Sequence, residues 1–431
     1  MNHSAFIIAA PSSDSGKSTI SIGLLRALKT RGLNVQPFKC GPDYIDPQLH
    51  QVACERPSIN LDAFMQGDMG VQELFNKYDS HSDISIVEGV MGLLDGYDRS
   101  RGSSGEIAKL LSLPVVLVMT PKSMAYSIAP MLYGIKHFCP ELNITGVIFN
   151  KVNSRKHLSY LEQACNDVEI DILGVIPKDD MLRLPSRHLG LITDDMEAIE
   201  SHACRAAILV EEHIDIDRLL AKTQHNASVS TDIVVSQKRN KILVARDEAF
   251  SFIYPENISC LSNFGEITYF SPLHDKVLPP FDLLYLPGGY PELYLSQLSS
   301  NVDLMAQIRS DVDSGKGCII AECGGMMYLQ QCIVDSDGKE YPMVNIFPHK
   351  ATMQGAKLTI GYRQMVFHGI PLRGHEFHYS RIEGNPIMGF RNQYDALGAP
   401  VDTLTMEHNN VLATYTHFTF TPQFISFFLD K

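Results

Sequence analysis

Apolar residues fall in two rhythms along the chain. Short continuous runs of strand length alternate with longer stretches whose apolar positions recur at helical spacing. In the first half Ala5–Ala10, Ile84–Val87, Pro114–Met119, Ile144–Asn150 and Asp171–Ile176 read as strands, and a further short strand begins at Val35. Ile20–Thr30, Ser103–Leu111, Tyr126–Phe138 and His157–Asn166 read as helices, with Glu106 and Lys109 on a solvated face. Alternation of this kind predicts a mostly parallel sheet with helices on both faces. The second half restarts the pattern with Lys241–Ala245, Phe281–Leu286, Ile319–Ala321 and Val411–Phe420. Between the halves, Lys222–Asn240 is polar, with few large apolar residues before Ile233–Val235, and reads as a linker. The expected organisation is two α/β domains, 1–222 and 241–431, joined by 223–240.

Composition narrows the function more than the fold. An apolar fraction of 45% and a charged fraction of 20% over 431 residues are those of an ordinary globular protein. A formal charge of −13 argues against nonspecific binding to nucleic acid or to an anionic membrane. Met1-Asn2-His3-Ser4 carries no basic leader, and the apolar run that follows is far short of a membrane span. Nine scattered cysteines without a CxxC pair suggest neither a zinc site nor a disulfide framework. A cytoplasmic setting is expected.

Chemistry concentrates where strands end. Ala5–Ala10 runs into Pro11-Ser12-Ser13-Asp14-Ser15-Gly16-Lys17-Ser18-Thr19 and then a helix, the context of a phosphate-binding loop. Loop N–H groups would cradle phosphates, Lys17 would reach the outer ones, and the Ser18 hydroxyl would ligate Mg²⁺. Pro11 stands where the first glycine of such a loop belongs, and Asp14 puts a carboxylate inside it. The second strand leads into Lys39-Cys40-Gly41-Pro42-Asp43-Tyr44-Ile45-Asp46, whose lysine and carboxylates suit a cation and a phosphate. The third such strand ends in Glu88, followed by a glycine-rich loop carrying Asp95. His81, His137 and His157 read as surface or core-edge residues. Leu184-Pro185-Ser186-Arg187-His188-Leu189-Gly190 is expected near the active site.

In the second half, Ile319–Glu322 delivers Cys323 to a turn made by Gly324 and Gly325, with a helix-compatible stretch behind it. That arrangement presents a nucleophile, and a helix N-terminus beside the sulfur would lower its pKa. Leu286-Pro287-Gly288-Gly289 closes another strand, and its N–H groups would form an oxyanion hole. His417 ends the last apolar run and is preferred over His375, His378 and His408 as the partner base of Cys323. Such sites usually carry a carboxylate two residues later, yet position 419 is Thr. A Cys–His dyad, or a carboxylate borrowed from elsewhere such as Glu376, are both open. Zinc at His375 and His378 lacks a third ligand.

Five stretches in order carry a resemblance: Lys39-Cys40-Gly41-Pro42-Asp43-Tyr44-Ile45-Asp46-Pro47, Val87-Glu88-Gly89-Val90-Met91-Gly92, Leu286-Pro287-Gly288-Gly289-Tyr290-Pro291-Glu292, Ala321-Glu322-Cys323-Gly324-Gly325 and Gly374-His375-Glu376-Phe377-His378-Tyr379-Ser380. Together they resemble the cobyrinate a,c-diamide synthases, the CbiA/CobB-type glutamine-dependent amidoligases of corrinoid biosynthesis. The resemblance implies two doubly wound domains: a P-loop domain similar to dethiobiotin synthetase and a class I glutamine amidotransferase domain. It implies ATP and Mg²⁺, with Ser12, Ser13, Ser15, Gly16, Lys17, Ser18 and Thr19 at the nucleotide beside Lys39. It further implies Asp46 and Glu88 as metal ligands with Ser18, Asp95 around an acyl phosphate, and Cys323 with His417 as the glutaminase pair. The implied substrates are a carboxylate-rich macrocycle, glutamine and ATP, with a covered ammonia route between domains; a homodimer is left open. The alternatives are a related amidoligase (cobyric acid synthase, or one acting on nickel-sirohydrochlorin), a fusion with an inactive amidotransferase domain, and a ParA/MinD-like ATPase switch, which gives Cys323 and His417 no role.

Overall fold

The computed structural model describes residues 3–179, 182, 196–226, 240–384 and 389–430. The Leu184–Gly190 stretch expected near the active site lies outside them, as does most of the expected linker. The chain forms two compact units, Met1–Asp232 and Ile233–Lys431.

The first unit runs β1 (Ser4–Ala9), α1 (Lys17–Thr30), β2 (Val35–Cys40), α2 (Asp46–Cys54), β3 (Ile59–Leu61), α3 (Ala63–Asp79), β4 (Ile84–Glu88) and α4 (Ser104–Leu110). It continues through β5 (Val115–Met119), α5 (Ile128–Phe138), β6 (Ile144–Asn150), α6 (Arg155–Asp167), β7 (Ile172–Ile176), α7 (Met196–His213) and α8 (Ile216–Lys222). All seven strands are parallel, in the order β3-β2-β4-β1-β5-β6-β7. Because successive side chains alternate faces, Ala5, Ile7 and Ala9 pack with α3, α4, α5 and α6. Phe6 and Ile8 pack on the other face with α1, α2, α7 and α8. This explains the continuous apolar runs: each strand is buried on both sides. Parallel strands also send the loops after β1, β2 and β4 to one edge of the sheet, on either side of the point where the strand order reverses.

The second unit begins β8 (Asn240–Ala245), α9 (Pro255–Ser262), β9 (Gly265–Phe270), β10 (Leu283–Leu286), α10 (Leu295–Ser300), α11 (Val302–Asp313), β11 (Cys318–Glu322) and α12 (Gly324–Tyr328). Then follow β12 (Gln330–Val334), β13 (Glu340–Pro342), β14 (Phe347–Thr352), β15 (Thr359–Phe367), β16 (Ile370–His378), β17 (Arg381–Ile382), β18 (Gly389–Phe390) and β19 (Gln393–Tyr394). The unit ends with β20 (Pro400–Val401), β21 (Thr405–His408), β22 (Val411–Thr414), β23 (Thr416–Phe418) and α13 (Pro422–Leu429). Its central sheet is β18-β21-β22-β11-β10-β8-β9, parallel from β22 through β9 and antiparallel at the other edge.

Two smaller sheets add antiparallel structure that the expectation of a mostly parallel domain did not include: β13-β12-β14-β17 and β20-β19-β15-β16-β23. The hairpin β15–β16 closes on His368 and Gly369, at φ 47° and 83°, the two left-handed residues that a tight two-residue loop demands. The apolar run Val411–Phe420 is not one strand. It breaks at Tyr415, so β22 belongs to the central sheet while β23, which carries His417, pairs with β16.

Helix α1, which carries Lys17 and Ser18, is seated on α7 through Gly23. A Cβ there would lie 2.6 Å from Val210 Cγ2 and 2.7 Å from the Ala206 carbonyl. Gly23→Val is expected to force the helices apart, at a cost of roughly 1–3 kcal/mol. Thermal melts should show the loss, and nucleotide titration should show weaker binding as the loop shifts with its helix.

Candidate active sites

The loop after β1 is shaped for close backbone approach. Gly16 sits at φ 96°, and a Cβ on it would lie 2.1 Å from Asn150 Nδ2, so any side chain there would be strained and would displace Asn150. The Asn150 amide and the Thr120 hydroxyl each donate to the Ser15 carbonyl at 3.1 Å, tying the loop to the ends of β6 and β5. Ser12 and Ser15 bond back onto the loop, to Ser13 O and Ser12 O. Asp14, exposed at φ 60°, occupies a left-handed position that Asp tolerates better than most residues, which reconciles it with such a loop. No side chain caps the N-terminus of α1, leaving its first-turn N–H groups for an anion.

Around this loop the strand ends converge. The Ser18 hydroxyl donates to Glu88 Oε1 at 2.6 Å and lies 3.4 Å from Asp46 Oδ2. The buried Lys39 ammonium stands 2.8 Å from Asp46, 3.2 Å from Glu88 and 3.8 Å from Asp43. Lys17 donates to the Met91 carbonyl at 2.6 Å, joining the first loop to the one after β4. The other oxygen of Glu88 is held at 2.7 Å by His50 Nε2, and His50 Nδ1 meets Ser58 Oγ at 2.9 Å. Burial opposes ionisation of Glu88, but Lys39 and His50 outweigh it and keep its pKa low. Burial and the neighbouring Glu88 push Asp46 well above the usual carboxylate value. Asp95 accepts from Gly92 N–H at 3.0 Å and so folds the glycine-rich loop.

The predicted residues Ser18, Lys39, Asp46 and Glu88 are therefore brought together. His50, Asn150 and Thr120 were missed. The only signal for His50 was its place one helical turn after Asp46; Asn150 and Thr120 are polar residues closing or following strands of the same sheet.

The second site is built on a strained turn. Cys323 lies between β11 and α12 at φ 47° and ψ −104°, and its N–H donates to the Thr414 carbonyl at 2.7 Å. A Cβ on Gly325 would lie 2.1 Å from the Leu286 carbonyl, and one on Gly324 3.1 Å from the Gly289 nitrogen. The Pro287–Gly289 loop thus lies directly against the turn. A Cβ on Gly288 would lie 2.3 Å from His417 Cε1 and 3.2 Å from Cys323 Cβ, so the two side chains stand on either side of this glycine. His375 is the register partner of His417 in the β16–β23 ladder.

Burial, the largest influence, raises the Cys323 thiol pKa, and Glu292 adds to it. This corrects the expectation of a thiol made acidic by a helix end, because α12 has only five residues and the sulfur is enclosed. Burial, with His375 and His378 nearby, pulls His417 down to about 3. The resting pair is a neutral thiol beside a neutral imidazole. Glu376 is committed elsewhere: it binds Arg363 Nε at 2.5 Å, Thr403 Oγ1 at 2.6 Å and His378 Nε2 at 2.6 Å.

Residues 6–192 match the model of the CobQ/CobB/MinD/ParA nucleotide binding domain, and residues 241–424 that of the CobB/CobQ-like glutamine amidotransferase domain. The chain is 38% identical to the cobyrinate a,c-diamide synthase of Caldanaerobacter subterraneus subsp. tengcongensis, over 96% of this chain and 94% of that one. The enzymes of the same name from Picrophilus torridus and Salmonella typhimurium are 39% and 38% identical. Those alignments span 97% and 96% of this chain and 96% and 95% of theirs. The likeness runs through both halves and includes both sites, and the chain belongs to the cobyrinate a,c-diamide synthase family.

Proposed function

We propose that this chain amidates the a- and c-acetate carboxylates of cobyrinate or hydrogenobyrinate, using ATP to activate the acid and glutamine as the nitrogen donor. The observation that carries the reading is that one polypeptide holds both a phosphate-binding strand edge and an enclosed thiol–imidazole turn. An ATPase switch would need only the first.

A carboxylate is a poor electrophile. Its oxygen attacks the γ-phosphorus of ATP, an O–P bond forms, and ADP leaves an acyl phosphate behind. The N–H groups of Ser13–Thr19, with Lys17 and Lys39, would balance the charge on the phosphates, and Asp95 would shape the loop around the acyl phosphate. Ser18, Asp46 and Glu88 offer a hydroxyl and two carboxylates around one point. This hard-oxygen set suits Mg²⁺, which keeps waters and phosphate oxygens as its other ligands. Bound there, Mg²⁺ would supply positive charge for phosphoryl transfer.

At the second site Cys323 passes its proton to His417 while the sulfur attacks the glutamine side-chain carbonyl. Gly288 and Gly289 N–H groups would receive the oxyanion. His417 returns the proton to the departing nitrogen, ammonia leaves, and water hydrolyses the thioester to glutamate. Ammonia then displaces phosphate from the acyl phosphate to give the amide. No helix among the described residues is long and apolar enough to cross a membrane.

Cys323→Ser should lower glutamine-dependent amidation on the order of 10³-fold while ammonium chloride still supports the reaction. Glu88→Gln should behave in the opposite way. With Lys39 and His50 stripped of their anionic partner, amidation should fall about 10²-fold with either nitrogen source, and glutamate release should persist. Coupled assays of ADP, glutamate and product separate the two. The raised thiol pKa means that less thiolate is present at pH 7–8 than in an unfolded cysteine. Alkylation of Cys323 by iodoacetamide without glutamine, followed by peptide mass spectrometry, should be slower than in the denatured chain and should still be rising above pH 9.

A further inference from the structure

We infer that Glu322 is the third member of the thiol site, a positioning residue that holds the His417 imidazole in the tautomer able to accept the Cys323 proton. The inference rests on the glutaminase reading of Cys323 and His417, and deepens it.

Glu322 is the last residue of β11, immediately before the nucleophile, and is fully buried. One carboxyl oxygen, Oε1, accepts the Phe418 backbone N–H at 2.9 Å, next to His417 in the chain. The other, Oε2, accepts the Tyr285 hydroxyl at 2.7 Å and lies 3.8 Å from His417 Nδ1. Three strands therefore meet on this carboxyl: β10 through Tyr285, β11 through its own backbone, and β23 through Phe418. The two donors engage both carboxyl oxygens, and the oxygen bound to Tyr285 is the one turned toward the ring.

A buried polar side chain with this many partners is not filler. An apolar residue at 322 would strand both the Tyr285 hydroxyl and the Phe418 N–H. Neither of the two positions weighed from the sequence offers His417 a carboxylate. Position 419 is Thr, and Glu376 is bound by Arg363, Thr403 and His378. An acceptor facing Nδ1 places the ring proton there and leaves Nε2 as the basic nitrogen. Burial pushes the Glu322 carboxyl up to about 8; when His417 takes up the thiol proton, the imidazolium facing that carboxyl favours its charged form and is stabilised by it in turn.

The test is Glu322→Gln, which keeps the size of the side chain and an acceptor for Tyr285 but replaces the ionisable carboxyl by an amide. Glutamate release should fall on the order of 10²-fold in kcat, with the KM for glutamine within about twofold. Ammonium-driven amidation of cobyrinate with ATP should also stay within about twofold of the parent. A kcat for glutamine within about twofold of the parent, in a variant that still uses ammonia, overturns the inference. If Glu322→Gln also loses ammonia-driven turnover, Tyr285→Phe decides. It keeps the carboxyl but releases Oε2, and should lower glutamine kcat roughly 3- to 10-fold with ammonia use retained; unchanged kcat overturns the inference. Continued glutamine hydrolysis by Cys323→Ser would instead sink the glutaminase reading itself, whatever Glu322 does.

Discussion

The thiol site depends on volume that is not there. At Gly288 and Gly325 a single added carbon would lie 2.3 Å from the His417 ring and 2.1 Å from the Leu286 carbonyl. These glycines let the β10 loop close against the Cys323 turn, and that closure seals the sulfur from water. Burial then sets the protonation of the pair, raising the thiol and lowering the imidazole, so both wait uncharged until a substrate enters. The strained φ of Cys323 is affordable because the strands and helix on either side fix the turn.

The nucleotide half solves the opposite problem. Its strand edge gathers Asp43, Asp46 and Glu88 around Lys39, with Lys17 close by on the neighbouring loop. Opposite charges pair across buried distances, so the cluster is balanced within the protein; His50 holds Glu88, while Thr120 and Asn150 tie down the neighbouring loop. The two halves follow one architectural rule. In each, parallel strands deliver loops to a common sheet edge, and chemistry accumulates where those loops meet.

That rule is why so much could be read from the sequence. The strand-ending positions of Ser12–Thr19, Lys39, Asp46, Glu88 and Cys323 follow from hydrophobic runs that stop at polar or glycine residues. What could not be read was the pairing between distant segments. Tyr415 splits the Val411–Phe420 run into two sheets, and nothing in its composition marks the break. The antiparallel sheets left one local sign, His368-Gly369, whose left-handed turn is plain only beside two long strands. Nothing beside Glu322 in the sequence marks it; its meaning lies in Tyr285 and Phe418, 37 and 96 positions away. The pKa of Cys323 was misjudged because a helix end is local and visible, whereas burial is a property of the whole fold.

The central claim is that nitrogen released at Cys323 is captured by an acid activated in the other half of the same chain. Incubating the protein with cobyrinate, ATP and glutamine labelled with ¹⁵N at the side-chain amide, and weighing the macrocycle by mass spectrometry, tests this most directly. The account predicts one heavy nitrogen at each of the a- and c-acetates and one ADP per amide formed. An unlabelled macrocycle, or ADP formed without amide, would contradict it.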